Sequence, residues 1–431
     1  MSSYNPYSDI IEEYQIGDNK TLKIGVIGDT QLINESTEDV FYQKFQKTFR
    51  KSLEILKEKK INVLIIDGDI TNVGESSSYD NTLNQFNSVY GNEKKRKYSY
   101  IKFSNGKPWL LEYRKNNKEE KQKLFEKKTK EKPFSHKKIN GYHFINWSCE
   151  NGSLYKPITN NEWFEKEIKK ALNDSNKKPI FVTTHFPPWD IVYGSEEWGD
   201  SLLNGYFKEY PQIINFSGHS YFSLIDERSI YQKDYTAIQT QSLSYIELEK
   251  GKVNGSILID EFDDAMISTN NSMGLICDVN DNAIVIKRIS FEKNEFYGDD
   301  WIIYLPINKN NFKYLYEVME KKSIKPEFIF ENEDDKKILV EKISERTIIK
   351  FKQAVHPYFI HSYKILYKTE ERKEYQYLYF SDFFLMPSDR KKIISFRIND
   401  NLKGKFNIKI YAIESFGKES DNFIEDNIFI E

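Results

Sequence analysis

Two short strings bring together residue types able to bind a divalent metal: Thr184-His185-Phe186-Pro187-Pro188 and Gly218-His219-Ser220-Tyr221. Each follows a short β-prone apolar run, PIFVT from Pro179 and QIINFS from Gln212. A histidine at the end of a buried strand projects from a rigid sheet edge into a crevice. Asp29 and Asp69 end two earlier apolar runs, LKIGVI from Leu22 and INVLII from Ile61. Carboxylate and imidazole together suit Mn, Fe or Zn better than Ca. An ion held this way can polarise a phosphoryl oxygen and supply hydroxide near neutral pH, which points to metal-assisted hydrolysis of a phosphate ester.

The elements that must position these residues form a β-α-β unit at the start. Leu22 to Ile27 reads as a buried strand. Thr37 and Asp39 offer a helix start, and Phe41, Phe45, Phe49, Leu53 and Leu56 then recur at helical spacing. Ile61 to Ile66 is a second buried strand, so the pair is expected to be parallel. A helical stretch from Ser78 to Val89, a short strand from Tyr98 to Phe103 and a strand GYHFINWS from Gly141 follow. Glu162 to Leu172 is amphipathic. Tyr235 to Glu249 and Leu275 to Glu292 read as antiparallel β, with a turn at Asn280-Asp281-Asn282. This order predicts an α/β domain over residues 21–310, two stacked sheets flanked by helices, after an N-terminal segment, residues 1–20. A linker over 311–325 precedes about seven short alternating strands over 326–431, the pattern of an all-β sandwich.

The chain has 431 residues, enough for about two to three domains at roughly 150 residues each. Its formal charge of −3 gives no global pull toward nucleic acid. A lysine-rich stretch, about residues 110–138, has interleaved glutamates and reads as a solvated helical insertion, with His136 in it exposed. No run approaches the roughly 20 apolar residues of a membrane helix. The N-terminus lacks a basic segment followed by an apolar one, so a cytoplasmic location is expected. Two cysteines, Cys149 and Cys277, make neither a disulfide framework nor a zinc knuckle.

The ordered set GDTQ (Gly28 to Gln31), DGD (Asp67 to Asp69), THFPP and GHSY resembles the calcineurin-like metallophosphoesterases over roughly residues 22 to 300. The C-terminal segment resembles a fibronectin type III-like domain, most clearly in NIKIYAIESFGKES from Asn407. The first resemblance implies two metal ions at the C-terminal edge of a sheet, bridged by Asp69, and one or two divalent ions are expected here. His185 and His219 match two ligands of the second ion. An asparagine is also implied there: Asn105, after a strand, is preferred over Asn92, which sits in a Gly-Asn-Glu string. The histidine that serves as general acid is replaced under either choice, by Gly106 or Glu93. Asp29 and Gln31 match ligands of the first ion, where Gln31 takes the place of a histidine. Tyr221 also stands in place of a histidine, and a phenol ligates well only when deprotonated, with an ordinary pKa of about 10.

The loop after His185 holds Trp189, Tyr193 and Trp198, placed to wall a substrate pocket, and Arg228 is placed to meet an anionic group. The resulting expectation is a phosphomonoesterase or phosphodiesterase acting through a metal-bound hydroxide, with a partly degenerate site. The alternative is a weak or inactive relative that binds a metal or ligand, or in which the β-sandwich serves recognition. The expected partner is a small or exposed phosphate ester, with no nucleic acid and no membrane span.

Overall fold

A computed structural model describes residues 4–16, 21–72, 74–91, 100–103, 118–148, 161–247, 266–268, 270–343, 346–370, 373–398 and 403–430. The chain divides into two compact units. Residues 1–224, 229–244 and 272–316 make the first, and residues 225–228, 245–271 and 317–431 the second.

The first unit contains β1 (Glu12–Tyr14), β2 (Leu22–Ile27), α1 (Val40–Glu58), β3 (Val63–Ile66), α2 (Ser76–Tyr90), β4 (Tyr100–Phe103), α3 (Lys118–Thr129), β5 (Phe134–Ile139), β6 (Tyr142–Trp147), α4 (Asn161–Asp174), β7 (Ile180–Thr183), α5 (Ser195–Trp198), α6 (Ser201–Phe207), β8 (Ile213–Ser217), β9 (Ile230–Gln232) and β10 (Thr236–Gln239). After β11 (Ile246–Glu247) and β12 (Met266–Ser268), which pair with each other in the second unit, it resumes with β13 (Met273–Val279), β14 (Ala283–Ser290) and β15 (Glu295–Tyr304). One sheet runs β1-β5-β6-β7-β8-β10-β9 and the other β15-β14-β13-β2-β3-β4.

Helix α1 forms where the apolar spacing places it. The Asp39 carboxylate caps it by accepting from the Phe41 N–H at 2.9 Å, and Phe45, Phe49, Leu53 and Leu56 are buried along one face. The crossover makes β2 and β3 parallel, with Val26 opposite Ile65. In the other sheet β6, β7 and β8 are parallel neighbours, buried on both faces. One face gives Ile145, Ile180, Val182 and Ile213 to a core shared with α4 and α6. The opposite face carries Phe144, Phe181 and Phe216, stacked ring on ring at 4.9 and 6.2 Å. These are the two layered sheets of a metallophosphoesterase α/β fold, flanked by helices.

Two expectations are corrected. The stretch from Tyr235 does not begin an antiparallel meander: β10 pairs parallel with β8 and antiparallel only with β9. The chain between β8 and β10 is long enough to return to the starting edge, so β10 extends the parallel sheet. His136, expected in an exposed insertion, is buried on β5, which pairs with β1 and β6. The meander expected further on is present, with β13 and β14 antiparallel across residues 280–282.

The second unit continues with α7 (Tyr316–Lys322), β16 (Leu339–Ile343), β17 (Arg346–Lys352), β18 (Ile360–Thr369), β19 (Glu374–Phe380), β20 (Ile393–Arg397), β21 (Gly404–Glu414) and β22 (Ile424–Ile430). These seven strands form antiparallel sheets ordered β16-β17-β20 and β19-β18-β21-β22. Strand β21 alternates buried and half-buried side chains, the period of a strand with one face in a core. His356 and His361 lie here: His356 Nε2 bonds the Ile324 carbonyl at 2.7 Å, and His361 is buried against Phe380.

Candidate metal centre

The site lies where β2, β3, β7 and β8 end. Backbone bonds hold these ends in register. Asp29 N–H donates to the Gly68 carbonyl at 3.0 Å and Gln31 N–H to the Asp69 carbonyl at 2.9 Å. Gly218 N–H reaches the His185 carbonyl at 3.0 Å, and Leu243 N–H reaches the Gly28 carbonyl at 3.0 Å, tying the two sheets together.

Five residues here take left-handed backbone conformations: Asp29 (φ 48°), Gln31 (51°), Asp69 (46°), His219 (67°) and Tyr221 (60°). Each such non-glycine residue costs about 1–3 kcal/mol, and such strain clusters where side chains must be aimed. The glycines beside them are required by close approach. A Cβ on Gly218 would sit 2.6 Å from Asp29 Oδ2 and 2.8 Å from Asp67 Oδ1, and one on Gly28 would strike Asp67 Oδ1.

Asp69, His185 and His219 are buried and offer ligand atoms all within 4.8 Å of one another. His185 Nε2 stands 3.3 Å from Asp69 Oδ1 and 4.0 Å from Asp29 Oδ1. The His219 backbone N–H donates to Asp29 Oδ2 at 3.1 Å, fixing that carboxylate. Phe186 and Trp198 wall the His219 ring, with centroids 4.2 and 5.5 Å away. One carboxylate and two imidazoles at this spacing fit a borderline divalent ion such as Zn, Mn or Fe.

The other side of Asp69 is built differently. Its Oδ2 accepts a bond from the Gln31 amide Nε2 at 2.7 Å and one from the Tyr221 hydroxyl at 2.8 Å. The Gln31 amide also donates to the Tyr221 oxygen, closing a three-membered ring of hydrogen bonds. Gln31 and Tyr221 both lie beside Asp69 and donate to its Oδ2.

Asp67 is a component the sequence reading did not single out. It is fully buried and accepts a bond from the Thr240 hydroxyl. Burial pushes its carboxyl up to about 8, and the neighbouring Asp69 charge adds to the rise. The Ser242 hydroxyl likewise donates to the Asp29 carbonyl at 3.2 Å. The visible signal was Thr240-Gln241-Ser242 directly after a buried strand, which parallels the other strand-end strings.

Asn92, Glu93, Asn105 and Gly106 lie outside the described residues. Trp189 is exposed, with its indole N–H on the Glu196 carbonyl at 3.1 Å. Tyr193 is buried against Phe222 at 5.0 Å, in the interior of the loop. Arg228 falls in the second unit and forks onto Asp226, Nε to Oδ1 at 3.0 Å and Nη2 to Oδ2 at 2.8 Å.

Fold and site together define a layered α/β domain with a candidate metal centre at its strand ends. Residues 22–221 match the family described as calcineurin-like phosphoesterase. That match spans 200 of the 431 residues and includes the four strand-end strings. No curated protein matches the sequence. Among solved structures, it is similar to a dimetal phosphatase from Danio rerio (8% identity, 66% of this chain and 99% of that one, TM-score 0.42). A purple acid phosphatase from yellow lupin is also similar (10%, 67% and 55%, 0.45). So is the GAP50 anchor of the inner membrane complex of Plasmodium (17%, 68% and 92%, 0.38). Among the described residues, no helix is long and apolar enough to cross a membrane.

Proposed function

We propose that the first unit is a metal-dependent phosphoesterase acting on a phosphate mono- or diester. The observation that carries this reading is the convergence of Asp69, His185 and His219, ligand atoms within 4.8 Å, from the ends of three different strands. Ordinary packing has little reason to bury two imidazoles and a carboxylate facing a common point, at a cost in desolvation and backbone strain. A divalent ion held there supplies Lewis acidity to a phosphoryl oxygen and a nucleophile from bound water. Asp29 and the backbone of His219 hold the rim of the cradle, while Phe186 and Trp198 shield it from bulk water. Asn105, or Asn92 in its place, is the further ligand this reading assigns.

The position of the general-acid histidine is occupied by Gly106 or Glu93, so turnover is expected to be slow. Positioned acid-base help is often worth about 10² to 10⁴ in rate. A second reading, a metal-binding module with little turnover, is favoured by one observation: two hydrogen bonds from Gln31 and Tyr221 occupy Asp69 Oδ2. For the second unit, the three-plus-four arrangement of seven antiparallel strands supports a fibronectin type III-like domain.

Hydrolysis of an aryl phosphate monoester and an aryl diester with added Mn tests the proposal. The wild-type chain is expected to turn over at least one of them and His219→Ala neither. Equal rates from both proteins remove the phosphoesterase reading.

A further inference from the structure

We propose that the first unit carries a second ligand site, at the β9 edge of its parallel sheet, and that this site takes a small ring-bearing phosphate monoester. It is separate from the strand-end centre, and the proposal does not rest on the phosphoesterase reading. A cavity of about 340 Å³ lies there, walled by α6, the loop after His185 and the β9–β10 hairpin. Small-molecule sites occupy roughly 300–1,000 Å³, so the size is sufficient. Strand β10 measures the separation of the two places. Tyr235, just before it, lines the cavity, whereas Gln239 at its other end precedes the Thr240 that bonds Asp67. The four strand steps between Tyr235 and Gln239 span about 13 Å.

Two observations mark the cavity as a place for a ligand. The first is Gly205, in the interior of α6 and in the cavity wall. A glycine inside a helix is less favourable than an alanine, so its presence needs a reason. Backbone conformation does not supply one, since the residue is helical. Close packing does not either: a Cβ built on Gly205 would meet no atom of the described residues within 4 Å. What the missing side chain leaves is open space on the cavity side. The second observation is charge. Lys208, which caps the C-terminus of α6, and Lys233, in the turn between β9 and β10, both line the cavity. Among the described residues neither ammonium has an ion-pair partner. Asp234, a carboxylate of the same wall, is already held by Lys309 Nζ at 2.8 Å. The cavity is therefore left with the positive charge of two lysines.

The remaining wall sets the body of the ligand. Tyr235 is buried and its hydroxyl donates to Asn204 Oδ1 at 2.6 Å, while Asn204 Nδ2 donates to the Trp189 carbonyl at 2.7 Å. These bonds turn the polar atoms of Asn204 and Tyr235 toward each other and the loop, which fixes the wall. Ile191 and Tyr231, half-buried against the core, add aliphatic and aromatic surface. A flat ring packs between such walls. Two ammonium groups match a phosphate monoester, which carries about −1.5 to −2 charge near neutral pH, better than they match a carboxylate with a single charge.

The test is calorimetric titration of the full-length chain, wild type and His219→Ala, with phenylphosphonate, a ring-bearing phosphate analogue that hydrolysis does not cleave. His219→Ala separates the cavity from the strand-end centre, and it is expected to keep one saturable site per chain. In that background Gly205→Leu puts a side chain into the open space, and Lys208→Ala with Lys233→Ala removes the charge. Each change is expected to weaken binding at least about tenfold. Benzoate, the same ring with a single charge, is expected to bind at least about threefold more weakly than phenylphosphonate. Thermal unfolding checks that the variants fold; if Gly205→Leu does not, the two exposed lysines decide the matter. Binding by the wild type but not by His219→Ala would put the ligand at the strand-end centre and overturn the proposal. So would no saturable binding by either protein, affinity unchanged by the lysine pair, or benzoate bound as tightly as phenylphosphonate. None of these outcomes bears on the phosphoesterase reading, which fails or stands on turnover.

Discussion

The first unit buries two histidine pairs, and they are wired in opposite ways. At the strand ends, His185 and His219 turn toward a common point with Asp69, their ligand atoms within 4.8 Å of one another. Some distance along the sequence, His136 on β5 and His143 on β6 form a line instead. His136 Nδ1 bonds Glu167 of α4 at 2.7 Å, His136 Nε2 meets His143 Nδ1 at 2.9 Å, and His143 Nε2 stands 3.2 Å from Asp174. Lys170 and Lys138 brace the two carboxylates at 2.6 and 2.5 Å. Both clusters are buried and both pair imidazole with carboxylate. Convergence aims two imidazoles and a carboxylate at one point, whereas the linear chain joins ring nitrogens to neighbours in sequence and ties a helix to a sheet. Composition alone does not separate a metal site from a structural relay; direction does.

Exchanging the roles of the two clusters in mutagenesis breaks or sharpens this contrast. His136→Ala removes one of the two partners of the Glu167 carboxylate, leaving Lys170, and should cost about 1.5–3 kcal/mol of stability, the range for a hydrogen bond to a charged group. Denaturant unfolding measures it, and Mn affinity should not change. His219→Ala should do the reverse. Mn affinity is expected to fall at least about a hundredfold, beyond the typical effect of losing a residue outside the ligand set, while stability changes little. Calorimetric titration checks the first half and thermal unfolding the second. If His136→Ala weakened Mn binding as much as His219→Ala, the distinction between the clusters would be wrong.

Gly218→Ala should give an intermediate effect. Its new Cβ would lie 2.6 Å from Asp29 Oδ2, so the carboxylate must move, and Mn affinity should drop by about 1–2 kcal/mol without loss of the fold. The smallest effect is on pH dependence. Burial, reinforced by His136 alongside, holds the His143 imidazole down at about 4, below its ordinary 6.5. The unfolded chain therefore binds more protons there. The contribution of neutral His143 is complete above about pH 6.5 and is lost as pH falls through about 4. His143→Gln should flatten the stability profile between those values, as followed by urea unfolding at stepped pH.

Much of the scaffold was legible because the relevant signals are local. Apolar runs ending in Gly28-Asp29, Asp67-Gly68-Asp69 and Gly218-His219 mark buried strands with functional ends, and the phenylalanine spacing of α1 needs no distant information. Two features depended on partners far along the chain. The lysines around His136 read as a solvated surface, yet Lys137 is buried between Glu131 at 2.8 Å and Glu12 at 3.3 Å, and Lys138 reaches Asp174. Charges that look exposed in sequence were neutralised from β1 and α4. Likewise, Gln31 and Tyr221 are visible as unusual residues at metal-ligand positions, but no sequence pattern tells which end of an amide faces Asp69. The parallel pairing of β10 was hidden for a related reason: strand direction depends on where the preceding connection returns.

Anomalous diffraction from crystals of the full-length chain grown with Mn tests the central claim most directly. The account predicts an anomalous peak roughly 2.0–2.3 Å from Asp69 Oδ1 and from one nitrogen of each of His185 and His219, with the Gln31 amide and Tyr221 hydroxyl still on Asp69 Oδ2. A chain that binds Mn elsewhere, or whose two imidazoles lie apart from Asp69, would contradict it.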